Sequence, residues 1–306
     1  MTPNSEAGVP PTPLSSASPA AAFRSVFRPG LFAQQCVWVT GAGSGIGRCT
    51  AHELASLGAR VVLSGRQEAK LQVVAEEIKA DGGQAHVQVL DIRDEEAVKR
   101  SVAEVVQLFG PITGLVNNAG GQFPAPLMAI SKKGFDAVVG NNLTGGFLMM
   151  REVFNQSMAE HGGAIVNMTA DFRNGMPGMG HSGAARAGMS NLTQTAAFEW
   201  AHAGVRVNAV APGWIASSGM DTYGGALRGI ISRLQSHVPL KRLGVEAEVS
   251  AAIVFLLCPA AAFITGITLQ IDGAASLGSE IFPLEPTSRS RAFDGFHRAR
   301  TPDILK

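Results

Sequence analysis

The residues with the most recognisable chemistry are three glycines in the segment TGAGSGIGR, residues 40–48. Gly41, Gly45 and Gly47 follow a short β-branched run and precede an amphipathic one, which is the context of a strand, a tight turn and a helix. A turn without side chains lets the backbone approach a pyrophosphate, and the N–H groups at the helix start bind its charge. The segment therefore predicts a dinucleotide-binding turn, which also contains Ser44 and Ile46.

The end of the second predicted strand indicates which dinucleotide binds. An NAD enzyme usually has a carboxylate about 20 residues after the glycines, whereas an NADP enzyme must accommodate a 2′-phosphate. Here the strand ends Ser64-Gly65-Arg66, without an acid. Arg66 could be a solvated loop residue, but a guanidinium also makes charge-assisted hydrogen bonds to phosphate. We therefore expect NADP(H), with Arg66 at the phosphate.

The elements that must position these residues follow from the hydrophobic pattern. From about residue 35, short β-branched runs alternate with longer amphipathic ones, as in βαβ units. Strands are predicted at 36–40, 60–64, 86–91, 113–118, 164–169, 205–210 and 267–272. Helices are expected to begin near Ile46, Gln67, Asp94, Ser131, Ala184 and Glu246. The predicted fold class is α/β, a Rossmann-type doubly wound, seven-stranded parallel sheet with helices on both faces.

The same pattern divides the chain into one domain and two flanking segments. Residues 1–30 are rich in Pro, Ser and Ala and predict a disordered extension, and 31–276 form the domain. The connection 211–245 follows the carboxyl end of a strand, where such sheets bind ligands, and predicts a substrate lid. The tail, 277–306, is expected to pack over the domain or over a neighbouring subunit.

Composition narrows the class of partner. Charged residues make up 16% of the 306 residues and the net charge is +1, so no basic field exists for nucleic acid or an anionic membrane. The three cysteines show no disulfide framework, and the scattered histidines give a metal site little support. Pro259 and a Thr-Gly pair interrupt the charge-free run 250–271, which favours a helix, a turn and a buried strand over a membrane span. These features, without a secretory signal, predict a cytoplasmic protein with a small-molecule substrate.

Several motifs in a fixed order make residues 30–275 resemble the short-chain dehydrogenase/reductase family. They are TGAGSGIG, Asp91 at the end of the third strand, NNAG at 117–120, NLTG at 142–145 and APG at 211–213. The resemblance implies that Asp91 contacts adenine, that Asn118 and Ala119 line the nucleotide and that Asn142 belongs to the active-site network. Further implied cofactor contacts are Ile92, Gly120, Arg186, Pro212, Gly213 and Ile215. The family also forms dimers and tetramers, which predicts a homo-oligomer.

The chain departs from this family at its catalytic pair. The family has Tyr-x-x-x-Lys on the helix after the fifth strand, and counting back from NLT at 191–193 places that pair on Ser182 and Arg186. The single tyrosine is Tyr223, in the expected lid, and no lysine occurs between residues 133 and 241. The family's catalytic serine falls near Thr169 or Ala170, of which Thr169 keeps a hydroxyl.

The changed pair favours a different reduction. A ketone needs a proton for its nascent alkoxide, and an arginine cannot supply one near neutral pH, although it can hold the cofactor ribose. A double bond conjugated to a thioester instead develops an enolate, which neutral donors can stabilise. Ser182, Asn142 and Thr169 could donate, with Arg186 at the ribose. NNAGGQFPAP, HSGAARAG and PAAAFITG further resemble the peroxisomal trans-2-enoyl-CoA and 2,4-dienoyl-CoA reductase branch, whose bacterial members are also associated with terpenoid alcohols such as citronellol.

The expected substrate surface contains flexible apolar side chains. Met179, Trp214 and Met220 suit an acyl chain, or are ordinary loop packing. His181 could relay a proton, with Asp171 orienting it, or be a satisfied loop histidine. A basic pair, Lys241 and Arg242, could meet coenzyme A phosphates. Two alternatives remain: an alcohol or carbonyl oxidoreductase in which Tyr223 replaces the missing phenol, and an inactive NADP-binding family member.

Overall fold

The computed structural model describes residues 23–222, 233–277, 284–287 and 289–306. Within them the strands are β1 Cys36–Thr40, β2 Arg60–Gly65, β3 Gln84–Val89, β4 Ile112–Asn117, β5 Gly163–Met168, β6 Val205–Pro212, β7 Ile215–Ala216, β8 Gly244–Val245 and β9 Thr268–Ile271. Seven of them form a parallel sheet in the order β3-β2-β1-β4-β5-β6-β9, and β7 pairs separately with β8. The strand order reverses between β1 and β4, which opens a crevice at their carboxyl ends.

Helices cover both faces of this sheet. They are α1 Gly45–Ser56, α2 Glu68–Ala80, α3 Glu95–Phe109, α4 Lys132–Val139, α5 Gly145–Val153, α6 Ala159–His161, α7 Gly180–Glu199 and α8 Glu246–Leu257. Two π-helical segments, Gly140–Thr144 and Phe154–Met158, connect α4, α5 and α6. Asp94 caps α3 by accepting from Ala97 N, and Ser131 caps α4 by accepting from Gly134 N.

Alternation along β1 shows how the sheet divides the core. Val37 and Val39 join one buried cluster, which includes apolar residues of α1, α2 and α8. Cys36 and Trp38 join a second cluster on the opposite face, with residues of α3 and α5. All five residues of β1 are buried, as a central parallel strand with both faces covered requires.

The predicted fold class is confirmed, and most element boundaries lie within two residues of those predicted. The largest differences are at α7, which begins at Gly180 rather than near Ala184, and at β6, which continues to Pro212. The last strand is only half-buried because it forms the edge of the sheet, so the expectation of a strand buried on both faces was wrong. Within the described ranges, no helix is both long enough and apolar enough to cross a bilayer.

The boundary predicted at residue 30 must move toward the N-terminus. Phe23 is buried, with its ring centroid 5.7 Å from that of Phe296, and Arg24 N donates to Gly295 O. The extension therefore joins the folded domain from residue 23, while residues 1–22 lie outside the described part of the chain. The tail packs over its own domain, on α1 and α2.

Candidate active site

The glycine-rich turn has the geometry that its sequence predicts. Gly41 and Gly45 have φ values of 67° and 57°, in the left-handed region that favours glycine. A Cβ on Gly41 would lie 2.8 Å from Ala119 Cα, and one on Gly47 would lie 2.5 Å from Gly41 O. The turn therefore tolerates no side chain at Gly41 or Gly47, and it holds the start of α1 against the end of β1.

A cleft continues from this turn along the ends of β2 and β3. Gly41, Ser44, Arg66, Asp91, Ile92, Ala119 and Gly120 of the predicted cofactor residues line it. Gln67, Lys70 and Asn141, which the sequence reasoning missed, line it as well. Arg66 and Lys70 thus bring two cationic side chains to the same cleft, beside the end of β2.

Asp91 lines this cleft at the end of β3 as an ionised carboxylate. Its carboxylate accepts from the Arg93 guanidinium, with Nη2 to Oδ2 at 2.5 Å. This hydrogen bond is the main cause that lowers the pKa of Asp91 below its ordinary value. The carboxylate can therefore act only as an acceptor, as an adenine amino group requires.

Three hydrogen bonds between side chains and backbone join the NNAG loop to the glycine-rich turn. Asn118 Nδ2 donates to Thr40 O at 2.9 Å and to Gly41 O at 3.2 Å, and Ala119 N donates to Thr40 Oγ1 at 2.9 Å. Asn118 therefore shapes the cradle by holding the turn in place. Its amide donors are already used by the protein.

The predicted segment 212–215 approaches the same cradle from β6. Gly213 N donates to Ile271 O at 3.0 Å, and a Cβ on Gly213 would lie 2.8 Å from Asp272 Cα. Ile215 is buried in β7. Two residues later the Cβ atom of Ser217 comes so close to the turn that a Cβ added to Gly45 would lie 4.0 Å from it. The segment that contains Pro212, Gly213 and Ile215 thus leads the chain from the carboxyl end of β6 to the glycine-rich turn.

Asn142 and Arg186 meet across Gly120. A Cβ on Gly120 would lie 2.6 Å from Arg186 Nη2 and 2.7 Å from Asn142 Oδ1, so only glycine allows this approach. Asn142 lies in the first π-helical segment and exchanges two hydrogen bonds with the backbone of Gly121, at 2.8 and 2.9 Å. Arg186 Nη1 donates to Met168 O at the end of β5, at 2.6 Å. A buried guanidinium is therefore fixed at the carboxyl end of the central strands.

Ser182 lies on the same face of α7 as Arg186, because residues four apart share one side of a helix. It is fully buried, and its Oγ donates to Gln122 Oε1 at 2.6 Å. Gln122 is a site residue that the sequence reasoning missed. It lies in the loop after β4, within the segment NNAGGQFPAP, but that resemblance assigned it no role.

His181 and Asp171 do not form the relay considered from the sequence. His181 is fully buried, its Nδ1 accepts from Ser182 N at 2.9 Å, and its ring packs edge-on to Phe123 at 4.5 Å. Only Nε2 remains, without a hydrogen-bond partner among the described residues, and one ring nitrogen cannot both bind an orienting carboxylate and pass a proton. Asp171 Oδ1 has no hydrogen-bond partner among the described residues, and burial raises the pKa of Asp171, with Asp272 as the next cause.

Thr169 is placed at the end of β5, but its hydroxyl is committed to the backbone. Oγ1 donates to Val210 O at 2.8 Å, and the Thr169 N–H donates to the same oxygen. In this arrangement Thr169 cannot also donate to a substrate. It connects β5 to β6, which corrects its expected role as a donor.

The predicted substrate residues fall into two groups. Met179 is buried at the start of α7, next to His181 and Ser182. Trp214 and Met220 instead pack in one apolar cluster with Leu234, Leu243, Ile304 and Leu305. The last two belong to the C-terminal tail, which therefore reaches the connection expected to act as a lid. Tyr223 lies outside the described residues.

The basic pair considered for coenzyme A is engaged internally. Arg242 forms a bidentate ion pair with Glu248, at 2.6 and 2.8 Å, and its Nε donates to Ser290 Oγ. Lys241 Nζ donates to Ser236 O at 2.8 Å. Arg242 therefore connects α8 to the tail, and a contact of this pair with coenzyme A phosphates stays a prediction.

Comparisons with known proteins match most of the chain. A family model described as enoyl-(acyl carrier protein) reductase matches residues 41–276. Glucose 1-dehydrogenase of Gluconobacter oxydans is 39% identical over 251 residues, which cover 80% of this chain and 93% of that protein. Peroxisomal 2,4-dienoyl-CoA reductase of Danio rerio is 32% identical over 260 residues, 84% of this chain and 86% of that protein. The solved structure of a citronellol catabolism dehydrogenase of Pseudomonas aeruginosa PAO1 is 62% identical, with a TM-score of 0.76, and covers 83% of this chain and 100% of that one.

Proposed function

Because the chain belongs to the short-chain dehydrogenase/reductase family of oxidoreductases, which use nicotinamide cofactors, we propose that it reduces the C2–C3 double bond of an enoyl-CoA thioester with NADPH. The proposal concerns the reacting bond, the cofactor and the substrate class. Each of these is supported by a different part of the site.

The observation that carries the proposal is the pair Ser182 and Arg186 at the positions of the family's tyrosine and lysine. Both side chains are buried and held by hydrogen bonds, Ser182 to Gln122 and Arg186 to Met168. Neither an aliphatic hydroxyl nor a guanidinium gives up a proton readily near neutral pH. The pair is thus poorly suited to protonate an alkoxide, but it can stabilise negative charge on an oxygen.

Enoyl reduction requires the protein to stabilise negative charge on an oxygen in this way. NADPH, when bound, would supply the hydride that the β-carbon accepts, and negative charge would develop on the thioester oxygen. The Ser182 hydroxyl can rotate from Gln122 to donate to this oxygen, and the fixed charge of Arg186 lowers the energy of the enolate. Asn142 acts as a positioning residue. Its two hydrogen bonds fix the backbone of Gly121, and the adjoining Gly120 lies between the side chains of Asn142 and Arg186. Water can then protonate the α-carbon.

NADP(H) fits the nucleotide cleft better than NAD(H). Gly41, Gly43 and Ser44 of the glycine-rich turn line the cleft, and Arg66 and Lys70 line it where an NAD enzyme would have a carboxylate. Two cations can both bind a 2′-phosphate, Arg66 through its planar fork and Lys70 as a point charge.

The likeness to the Danio rerio dienoyl-CoA reductase supports a thioester substrate, with Met179, Trp214 and Met220 as apolar contacts for the acyl chain. The likeness to the citronellol catabolism dehydrogenase favours a second candidate, oxidation of a branched terpenoid alcohol such as citronellol. The missing phenol at position 182 weighs against this second candidate, because alcohol oxidation needs a base for the hydroxyl proton.

We also infer a homodimer or homotetramer in the cytoplasm. Phe147 on α5 and Phe198 on α7 are exposed, at 37% and 87%, on the two helices where the family assembles. Exposed aromatic side chains of this kind are typical of subunit interfaces. Sedimentation velocity would measure the subunit number, and a monomer would exclude this assembly.

A substrate panel tests the proposed reaction. Linear and β-methyl-branched 2-enoyl-CoA esters should oxidise NADPH, whereas citronellol with NADP⁺ should give little turnover. Ser182→Ala should lower kcat/KM for the thioester by about 100-fold, the usual effect of removing one oxyanion donor. Ser190→Ala is the matched control, since Ser190 lies on the same helix and contacts Thr268 instead. Turnover of citronellol alone would establish the second candidate, and tight NADPH binding without any turnover would identify an inactive member.

A further inference from the structure

Away from the candidate active site, three metal-binding side chains converge where the tail crosses α1 and α2. They are His52 of α1, Asp81 at the end of α2 and His297 of the tail. His297 Nε2 lies 2.9 Å from Asp81 Oδ2, and His52 Nδ1 lies 3.4 Å from the same oxygen. Both histidines are at most 9% exposed, so the group is screened from solvent.

The contacts of His52 are difficult to explain with protons alone. Its Nε2 lies 3.2 Å from Glu77 Oε2, while its Nδ1 faces Asp81 Oδ2, so each ring nitrogen has a carboxylate beside it. A neutral imidazole has one N–H, and its other nitrogen must then point a lone pair at a carboxylate oxygen. The two lone pairs that face each other there repel.

A bound cation would remove the same repulsion at neutral pH. Metal–ligand bonds of about 2.0–2.2 Å, at angles near 90–110°, place neighbouring ligand atoms about 2.8–3.6 Å apart. The two separations at Asp81 Oδ2 fall in this range, and the ligand atoms of all three residues lie within 4.8 Å of one another. Glu77 at the remote nitrogen of His52 is the carboxylate that commonly orients a metal-binding histidine.

We propose that His52, Asp81 and His297 bind one Zn²⁺ ion and thereby pin the C-terminal tail to α1 and α2. Two neutral imidazoles and one carboxylate are a donor set typical of zinc, and water can complete the coordination. His297 lies beyond residue 276, where the match to the family model ends, so the shared domain supplies two of the three ligands and the tail of this chain completes the site.

Two guanidinium groups beside the site lower its expected affinity for Zn²⁺. Arg48 binds Glu77 with contacts of 2.8 Å, and Arg298 binds Asp81 through Oδ1 at 2.6 Å and Oδ2 at 3.1 Å. These cations oppose a further positive charge, so binding should be weaker than at an all-cysteine structural zinc site. They also keep both carboxylates ionised, as metal binding requires.

The test is a titration of the untagged, full-length, chelator-treated protein with ZnSO₄ by calorimetry. We expect one saturable site per chain, a higher Tm and slower tryptic cleavage within the tail. His297→Gln should abolish the site and Asp81→Asn should weaken it strongly, whereas Glu77→Gln should weaken it by about 10- to 100-fold. His161→Gln is the matched control, because His161 is exposed on α6.

His297 is the preferred position for substitution because it lies in the tail, whereas His52 is buried within α1 and its replacement could prevent folding. Circular dichroism of His297→Gln should match the parent protein. Absence of saturable Zn²⁺ binding by the parent protein would overturn the proposal. So would equal stoichiometry and affinity in His297→Gln, which would assign the binding to other histidines.

Discussion

Two cationic residues, Arg66 and Lys70, line the nucleotide cleft beside the end of β2. If both bind a 2′-phosphate, the double variant Arg66→Ala/Lys70→Ala should lose roughly 100-fold or more in kcat/KM for NADPH, since two charge-assisted hydrogen bonds are removed and each contributes about 1.5–3 kcal/mol. NADH has no such phosphate, and its kcat/KM should change little. Arg100→Ala, at an exposed position on α3, serves as the control. An equal loss with both cofactors would contradict NADP selectivity.

The buried carboxyl group of Glu246 predicts a pH-dependent stability. It begins α8 beside the glycine-rich turn, and burial raises its pKa to about 7. The folded protein therefore holds this proton up to near pH 7, whereas the unfolded chain loses it near pH 4.5. The associated stability is fully present below about pH 4.5 and is lost as the pH rises through 7.

The substitution Glu246→Gln should remove this loss of stability at high pH, because glutamine has no proton to lose. The variant should be more stable than the parent at pH 8, by roughly 2–3 kcal/mol at most, and nearly equal to it at pH 4.5. Urea unfolding at the two pH values measures the difference in free energy. Glu160→Gln, on the exposed surface of α6, should show no such dependence on pH. A stability gain of the same size at both pH values would show that the proton is not involved.

Residue by residue, the sequence identifies groups that lie within a motif better than groups that depend on tertiary contact. Gly41 and Gly47 could be predicted because a tight strand-turn-helix junction excludes side chains. Gln122 could not be predicted, because it becomes a site residue only through its 2.6 Å contact with Ser182, 60 residues away. The opposite error occurred at Thr169, whose hydroxyl has the expected chemistry but donates to the adjacent strand.

At the scale of elements, the C-terminal tail supports the connection between β6 and α8. Ile304 and Leu305 pack with Trp214 and Met220, and Ile304 N donates to Asp221 Oδ1 at 3.0 Å. Truncating both side chains, Ile304→Ala/Leu305→Ala, should loosen this connection, because about 1–2 kcal/mol of apolar contact is lost.

The expected result is a KM for long-chain thioesters that rises roughly tenfold, with the KM for NADPH unchanged, and a shift in Trp214 fluorescence. Leu284→Ala provides the control, since Leu284 is an exposed tail residue outside this cluster. An unchanged fluorescence and an unchanged KM would show that the tail does not support the substrate connection. The fluorescence readout does not depend on which substrate the enzyme uses.

The strands and helices were predictable because their burial is local and periodic. β1 and β2, for example, each contain an uninterrupted buried apolar run, residues 36–39 and 61–63, as a parallel strand covered on both faces does. The π-helical turn that contains Asn142 follows no such period, and neither does the path of the tail. Both are determined by contacts between distant segments, such as Arg298 with Asp81, 217 residues apart.

At the scale of the whole molecule, both flanking segments extend the shared domain. The family model ends at residue 276 and begins at 41, yet Phe23 and Phe296 pack together over Cys49 and Ala247 as a separate apolar cluster. Composition had suggested that 1–30 would remain outside the fold. Two buried aromatic side chains are enough to dock residues 23–30 and the tail on the same surface.

The most direct test of enoyl reduction traces the hydride from NADPH into the product. The enzyme is given NADPH carrying deuterium at nicotinamide C4 and a 2-enoyl-CoA ester, and the product is analysed by mass spectrometry and NMR. The account predicts deuterium at C3 of a saturated acyl-CoA whose thioester carbonyl is intact. The account would be contradicted if the thioester were left unchanged while an aldehyde or ketone, supplied in its place, gained deuterium at a newly formed carbinol carbon.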